Sequence, residues 1–315
     1  MRLATRVCAL LGIEYPILLA PMDLVAGGRL AAAVSGAGGL GLIGGGYGNR
    51  DWLEREFAAA GNARVGCGFI TWSLERRPEL LDAALDRGPC AVLLSFGDPS
   101  GFAPRIKAAG ARLLCQIQTV AQARVAVDAG ADILVAQGTE AGGHGMTRST
   151  MTLVPEVVDA FPDTPVIAAG GIADGRGLAA VVMLGADGVM MGTRFHASQE
   201  ADALPAAKGR IVAATGDDTA RSIVFDISRQ NLWPDAYTGR VIRNAHAARW
   251  LGREAELAAN IEEESRRYRE ARERGDFDIA AVIAGESAGL VRDVLPAAEI
   301  VDRVVRQAED LLQGR

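Results

Sequence analysis

The stretch VAQGTEAGGHGMT, residues 135–147, holds His144, one of only three histidines in the chain, among Gly142, Gly143 and Gly145. An imidazole titrates near neutral pH, so it can act as a general base or as a hydrogen-bond donor to an anion. Glycines around it bare the backbone and let another body approach. A histidine capping a turn is the plainer alternative. Two more glycine clusters follow, AAGGIADGRG (168–177) and MGTRF (191–195). Ala169, Gly170, Gly171 and Gly192 would present bare amides and Thr193 a hydroxyl, a donor set suited to phosphate. Gln116 and Gln118 alternate onto one face of an apolar run, and Gln137 ends another. Neutral amides match the carbonyls and nitrogens of a flavin ring. Ala20, Pro21 and Met22, within APMD, would lay backbone beside that ring, and Gly142 and Gly143 would let it approach His144. FMN is the cofactor that fits this set. No Cys, Ser or Lys stands in a comparable loop as a nucleophile, and no His/Asp/Glu cluster has metal-ligand spacing, so no metal is expected. His196 and His246 read as structural or surface residues.

Positioning these groups falls to a repeating frame. Short apolar runs begin at residues 17, 40, 65, 91, 112, 133, 166 and 188. Ala-rich segments of helical spacing separate them, most ending in a glycine suited to a helix terminus. Eight strand–helix units at this period predict a (β/α)₈ TIM barrel, with a doubly wound open sheet as the alternative. The longest interval, from 133 to 166, contains His144, and strand-to-helix loops of a barrel open on its ligand face. The glycine clusters after the seventh and eighth strands fall where such barrels bind phosphate. Beyond residue 200 the pattern changes. The reading is an FMN-binding barrel over 1–200 and 276–315, with 201–275 as a smaller, mostly helical capping insertion. Its charged run reads as a solvated helix face supported by Glu262–Arg266 and Glu263–Arg267 pairs.

The 315 residues are 49% hydrophobic, 5% aromatic and carry a net charge of −6, with no basic block before residue 266. Nucleic acid is therefore not an expected partner. No uncharged apolar run is long enough for a convincing membrane span, and no leader is evident, so a cytoplasmic protein is expected. A homodimer is compatible with this reading. The cysteines at 8, 67, 90 and 115 have apolar neighbours and no C-x-x-C spacing, which points to reduced, mostly buried thiols.

In PILLAPM, GGLGLIGGG, SFGDP, AGADILVAQGTEAGGHG, PVIAAGGIADGRGLAAVVMLGADGVMMGTRF and AGESAGLVRDVLPAAEIV, the chain resembles the nitronate monooxygenase family. That family is taken together with the FMN-dependent enoyl-acyl-carrier-protein reductases. The resemblance implies a metal-free barrel carrying FMN, its phosphate on Gly170, Gly171, Gly192 and Thr193. It also puts His144 at the family's active-site histidine. The implied activity is FMN-dependent oxidation of alkyl nitronates, and of nitroalkanes, by O₂ without a nicotinamide. Two positions depart: Gly68 stands where many members carry a flavin-contacting Asn, and Glu286 where Gln is common. An NAD(P)H-dependent flavin reductase acting on an enoyl thioester is the alternative enzyme. A barrel that senses a phosphorylated metabolite is the non-enzymatic one.

Overall fold

The computed structural model describes residues 3–231 and 233–314. Eight parallel strands form the barrel: β1 (Ile17–Leu19), β2 (Leu42–Gly46), β3 (Gly66–Ile70), β4 (Ala91–Ser95), β5 (Arg112–Ile117), β6 (Ile133–Gln137), β8 (Val166–Ala169) and β9 (Gly188–Met191). Their order is β1-β9-β8-β6-β5-β4-β3-β2. One bridge, Leu18 to Leu40, meets the remaining seam. There the Leu40 N–H donates to Ile17 O and the Leu19 N–H to Leu40 O, both at 2.9 Å. Every run named from the sequence becomes a barrel strand.

Both faces of these strands are covered, so they read as continuous apolar runs and not as alternating ones. Leu18, Leu42, Leu93, Leu114, Val135, Ile167 and Met190 fill the interior. Their neighbours Ile17, Ile43, Val92, Leu113, Leu134, Val166 and Val189 meet the surrounding helices. Val7 and Leu11 of the first helix, Arg6–Leu11, join the interior cluster and plug one end of the barrel. Burying two such side chains contributes roughly 3–6 kcal/mol before conformational entropy is set against it. Cys8, Cys67 and Cys115 are buried, and no cysteine is disulfide-bonded.

A second sheet changes the picture of the His144 segment. Gly143–Gly145 is not a free loop but a short strand, β7. It pairs antiparallel with β11 (Thr238–Ile242), which pairs in turn with β10 (Thr219–Ser222). The register sets His144 opposite Gly239. A Cβ at Gly239 would lie in ordinary contact with the imidazole, 3.4 Å from Nε2, so the ring sits directly over this strand position. The segment between β9 and the final helix, Ala297–Leu312, thus shares a sheet with the loop after the sixth barrel strand. Among the described residues no helix is long and apolar enough to cross a membrane.

Candidate active site

The inward positions of β5 and β6 turn polar at one end of the barrel: Leu114 is followed on its face by Gln116, and Val135 by Gln137. Gln116 Nε2 donates to Gln137 Oε1 at 2.8 Å, and Gln118 Nε2 donates to the same oxygen at 2.6 Å. With its oxygen doubly engaged, Gln137 keeps its amide N–H groups, and Gln116 its carbonyl, for the space above. That space is a cavity of about 480 Å³, walled among others by Ala20, Pro21, Met22, Gly68, Gln116, Gln137, Gly142, Gly143 and His144. A recess of about 90 Å³ shares Ala20, Met22, Gln116, Gln137 and Gly142 with it and continues to Ala169, Gly170, Gly171, Gly192 and Thr193. The catalytic and cofactor-binding candidates named from the sequence line one or other of these two adjoining spaces, except Gln118, which lies buried beneath Gln137 and faces neither.

Local packing explains two of its glycines. A Cβ on Gly68 would lie 2.3 Å from Pro21 Cγ, so the APM turn occupies the place where an Asn side chain would project. A Cβ on Gly142 would lie 2.6 Å from the carbonyl carbon of Ala284 and 2.7 Å from the Gly285 nitrogen. The body against that part of the His144 segment is thus the chain's own later backbone. Thr193 Oγ1 accepts from the Gly285 N–H at 2.9 Å, which leaves its proton free for a ligand in the recess.

His144 is held on several sides. Its Nε2 lies 3.0 Å from Asp226 Oδ2, with the two residues 8% and 2% exposed. Its ring stacks on Trp233 at 3.5 Å between centroids and 5° between planes. A carboxylate opposite Nε2 selects the tautomer with the proton there and leaves the Nδ1 lone pair free. Among the described residues Nδ1 has no hydrogen-bond partner. Burial pushes the imidazole below its usual range, and the hydrogen bond and charge of Asp226 offset that only in part. The ring is therefore neutral at pH 7.

The segment carrying His144 is clamped by two arginines. Arg221 donates to the carbonyls of Gly145 and Thr139 at 3.0 Å, of Ala141 at 3.3 Å, and of Thr238. Burial, and then Arg240, bring its guanidinium down to about 10. Arg240 donates to Thr139 O and Thr219 Oγ1, both at 3.0 Å, and pairs with Glu286 Oε1 at 2.9 Å. Glu286, the departure noted in the sequence, is thus the counter-ion of a loop clamp.

Several residues around His144 and the cavity carry no local sequence signal. Asp226, the partner of His144 Nε2, lies 82 residues from it and is not part of the cavity wall. Arg229, Trp233, Tyr268, Arg269 and Arg272 reach the cavity from the segment after β9, and Tyr47 and Asp23 from the first two barrel loops. The charged helix Ile261–Arg274 is only partly a solvated face. It buries Glu264, Ser265, Tyr268 and Ala271, forms Arg266–Glu270 and Glu264–Arg267 pairs at 3.8 Å, and sends Arg269 and Arg272 to the cavity. Periodicity showed its charge but not which way each charge faced. Among the described residues, the non-glycine positive φ values belong to Leu24, Phe96 and Gln230. Phe96 lines the cavity, and the other two adjoin Asp23 and Arg229, which also line it. Left-handed backbone costs such residues roughly 1–2 kcal/mol each and gathers at functional sites.

The model of the family described as nitronate monooxygenase matches residues 4–64 and 75–307. The chain belongs to the nitronate monooxygenase family. It is therefore an oxidoreductase of a flavin-dependent family. A nitronate monooxygenase of Neurospora crassa is 34% identical over 94% of this chain and 90% of its own. FabK from Thermotoga maritima superposes with a TM-score of 0.86 at 32% identity, covering 98% of this chain and 97% of that one. The nitroalkane oxidase of Streptomyces ansochromogenes gives 0.82 at 27% identity, covering 97% and 99%.

The remaining two histidines of this nitronate monooxygenase family member are buried, not at the surface. His196 Nδ1 lies 3.0 Å from Ile283 O, and His246 Nε2 lies 2.8 Å from Ser228 Oγ. Burial lowers both to about 4 from the ordinary 6.5. Each folded-state pKa lies below the unfolded one, so stability is unaffected above about pH 6.5 and falls as pH drops from there towards 4. His196 alone contributes a slope of roughly 1.4 kcal/mol per pH unit inside that window. Urea midpoints at pH 6.5 and 5.5 check this: the midpoint should fall, and His196→Asn should flatten the fall by about one proton. An unchanged midpoint in the native chain would contradict the assignment.

Proposed function

We infer that this protein binds FMN and uses it to oxidise nitronates and nitroalkanes with O₂, with His144 Nδ1 as the proton-accepting atom. The observation that carries this reading is a cavity-lining imidazole whose Nε2 is tied to Asp226 and whose Nδ1 has no partner among the described residues, in a cavity that shares its wall with the glycine-lined recess. The donor set fits the cofactor. Gly170, Gly171, Gly192 and Thr193 would hold the phosphate. Gln116 and Gln137 would offer amide groups to the polar atoms of the flavin ring, and Ala20, Pro21, Met22 and Gly68 would contribute wall to its side of the cavity. FMN, when bound, supplies the two-electron acceptor for the substrate and returns those electrons to O₂.

The rest of the chemistry lies with the chain. From a nitroalkane, Nδ1 takes the proton on the carbon that bears the nitro group, and Asp226 stabilises the imidazolium so formed. From a nitronate no proton need be removed, and the wall around His144 orients the anion. Trp233 and the strand pairing of β7 hold the imidazole in one orientation, so little reorganisation accompanies proton transfer.

The likeness to FabK favours a second reading, in which the same cavity serves an NAD(P)H-dependent reductase of enoyl thioesters. A single experiment separates the two: anaerobic titration of the yellow, FMN-loaded protein followed in the visible. Bleaching by a nitronate within the dead time, and not by NADPH or NADH, is the expected result. Rapid bleaching by NADPH with none by nitronate would replace the first reading by the second. A purified protein that stays colourless after incubation with FMN would sink both.

A further inference from the structure

The walls of the cavity opposite the glycine recess differ in character from the rest of the chain. Although the sequence is only 5% aromatic, Tyr47, Phe69, Phe96, Trp233 and Tyr268 line this one cavity. Trp233 is the centre of the group. Its Nε1 donates to Tyr47 Oη at 2.9 Å, and its ring meets Phe96 edge-on at 4.9 Å and Trp72 at 5.3 Å. Several aromatic edges and faces around one space offer a further flat ring the offset and edge-to-face contacts that aromatic pairs prefer.

Charge in the same space is unbalanced. Arg229, Arg269 and Arg272 face it against Asp23, while Asp226 is already engaged by His144. Arg229 is the deepest of the three by its partners: its Nε donates to Phe225 O at 3.1 Å and its Nη2 reaches Asp226 Oδ1 at 3.5 Å. Its Nη1 has no partner among the described residues. Burial opposes the charge on this guanidinium, but Tyr268, Asp226, Tyr47 and Asp23 together outweigh it, so it stays protonated. One carboxylate, Asp226, therefore spans from the proton-accepting imidazole to a guanidinium with an unspent donor.

We propose that the substrate of this site is a ring-bearing anion, its charged head between Arg229 Nη1 and His144 Nδ1 and its planar body among Tyr47, Phe96 and Trp233. This rests on the reading of the cavity as the oxidation site, and it narrows that reading from small alkyl nitronates to aryl or similarly flat ones. Arg229 supplies the head-group recognition that neutral amides on the barrel strands do not.

The test uses the full-length, FMN-loaded protein and three unreactive probes, benzoate, benzamide and acetate. Binding is followed by the perturbation of the flavin spectrum and by tryptophan fluorescence. Benzoate should bind at least about tenfold more tightly than benzamide, which has the ring without the charge, and than acetate, which has the charge without the ring. Arg229→Gln should erase the preference for benzoate over benzamide while flavin stays bound. Should that variant lose its flavin, the native ligand series decides alone. Equal affinities for benzoate and benzamide would overturn the role of Arg229, and equal affinities for benzoate and acetate would overturn the ring pocket. In turnover, the nitronate of phenylnitromethane should exceed that of nitroethane in kcat/KM by about tenfold or more, and the reverse order would overturn the proposal. Selective benzoate binding without turnover of any nitronate would refute the oxidation reading and leave this inference intact. Turnover of ethyl nitronate without benzoate binding would do the opposite.

Discussion

His144→Ala should lower kcat/KM for a nitroalkane by about 10²- to 10⁴-fold, the usual worth of a positioned general base, with FMN still bound. The pH profile is the sharper readout. Because burial holds the imidazole below its ordinary range, the native rate should be flat through pH 7 and fall only on the acid side. Asp226 raises the imidazole pKa, so Asp226→Asn should move that acid limb to still lower pH. The same change should drop the plateau roughly 10²-fold, since an amide can turn its NH₂ to Nε2 and force the proton onto Nδ1. A preformed nitronate, which needs no deprotonation, should suffer less from either change. If Asp226→Asn leaves both the plateau and the limb where they were, the carboxylate does not set the tautomer. If His144→Ala retains the native rate, the imidazole is not the base.

Arg221→Ala should be nearly as damaging although Arg221 touches no proposed substrate atom. Its guanidinium holds the carbonyls of Thr139, Ala141, Gly145 and Thr238. Removing it leaves these acceptors to find water or go unpaired, at roughly 1–3 kcal/mol for those that stay buried. Part of that loss is offset, because the guanidinium itself is held against its desolvation and against Arg240, as its lowered pKa records. The larger consequence is geometric: the imidazole rides on the segment so released, and a displacement of about 1 Å can cost about 10²-fold in rate. Lysine should not rescue, since one ammonium cannot replace a planar fork across four carbonyls. Urea unfolding and steady-state kinetics on Arg221→Ala and Arg221→Lys measure the two effects separately. Native activity in both variants would show that pairing of β7 with β11 suffices to place the ring.

The barrel was readable because its signals are local. Runs such as ILLAP and ILVAQG are buried on both faces, and the helices between them repeat at nearly even spacing, so eight units could be counted from apolar patterning alone. The recess was readable for a related reason: Gly170, Gly171, Gly192 and Thr193 sit directly at the ends of two of those strands, where the fold dictates their neighbourhood. The surroundings of the imidazole were not. Asp226, which binds its Nε2, and Arg229 and Trp233, which line the cavity, belong to a segment whose sequence shows no clear strand or helix period, and their meeting with His144 goes with β7 joining β11. Nothing in GGHG announces a strand, since glycine has low strand propensity and the pairing is decided by a partner far along the chain. His196 and His246 show the same limit: a histidine's neighbours in sequence do not reveal whether its ring is buried.

That shared three-stranded sheet makes the segment after β9 and the His144 loop one inheritable unit. A chimaera that grafts the region around Thr219–Ile242 from another flavoenzyme onto this barrel would have to carry residues 139–145 with it, or lose the register that sets His144 opposite Gly239. Conversely, drift within the segment after β9 can retune what the imidazole meets while the cylinder and its glycine-lined recess stay as they are.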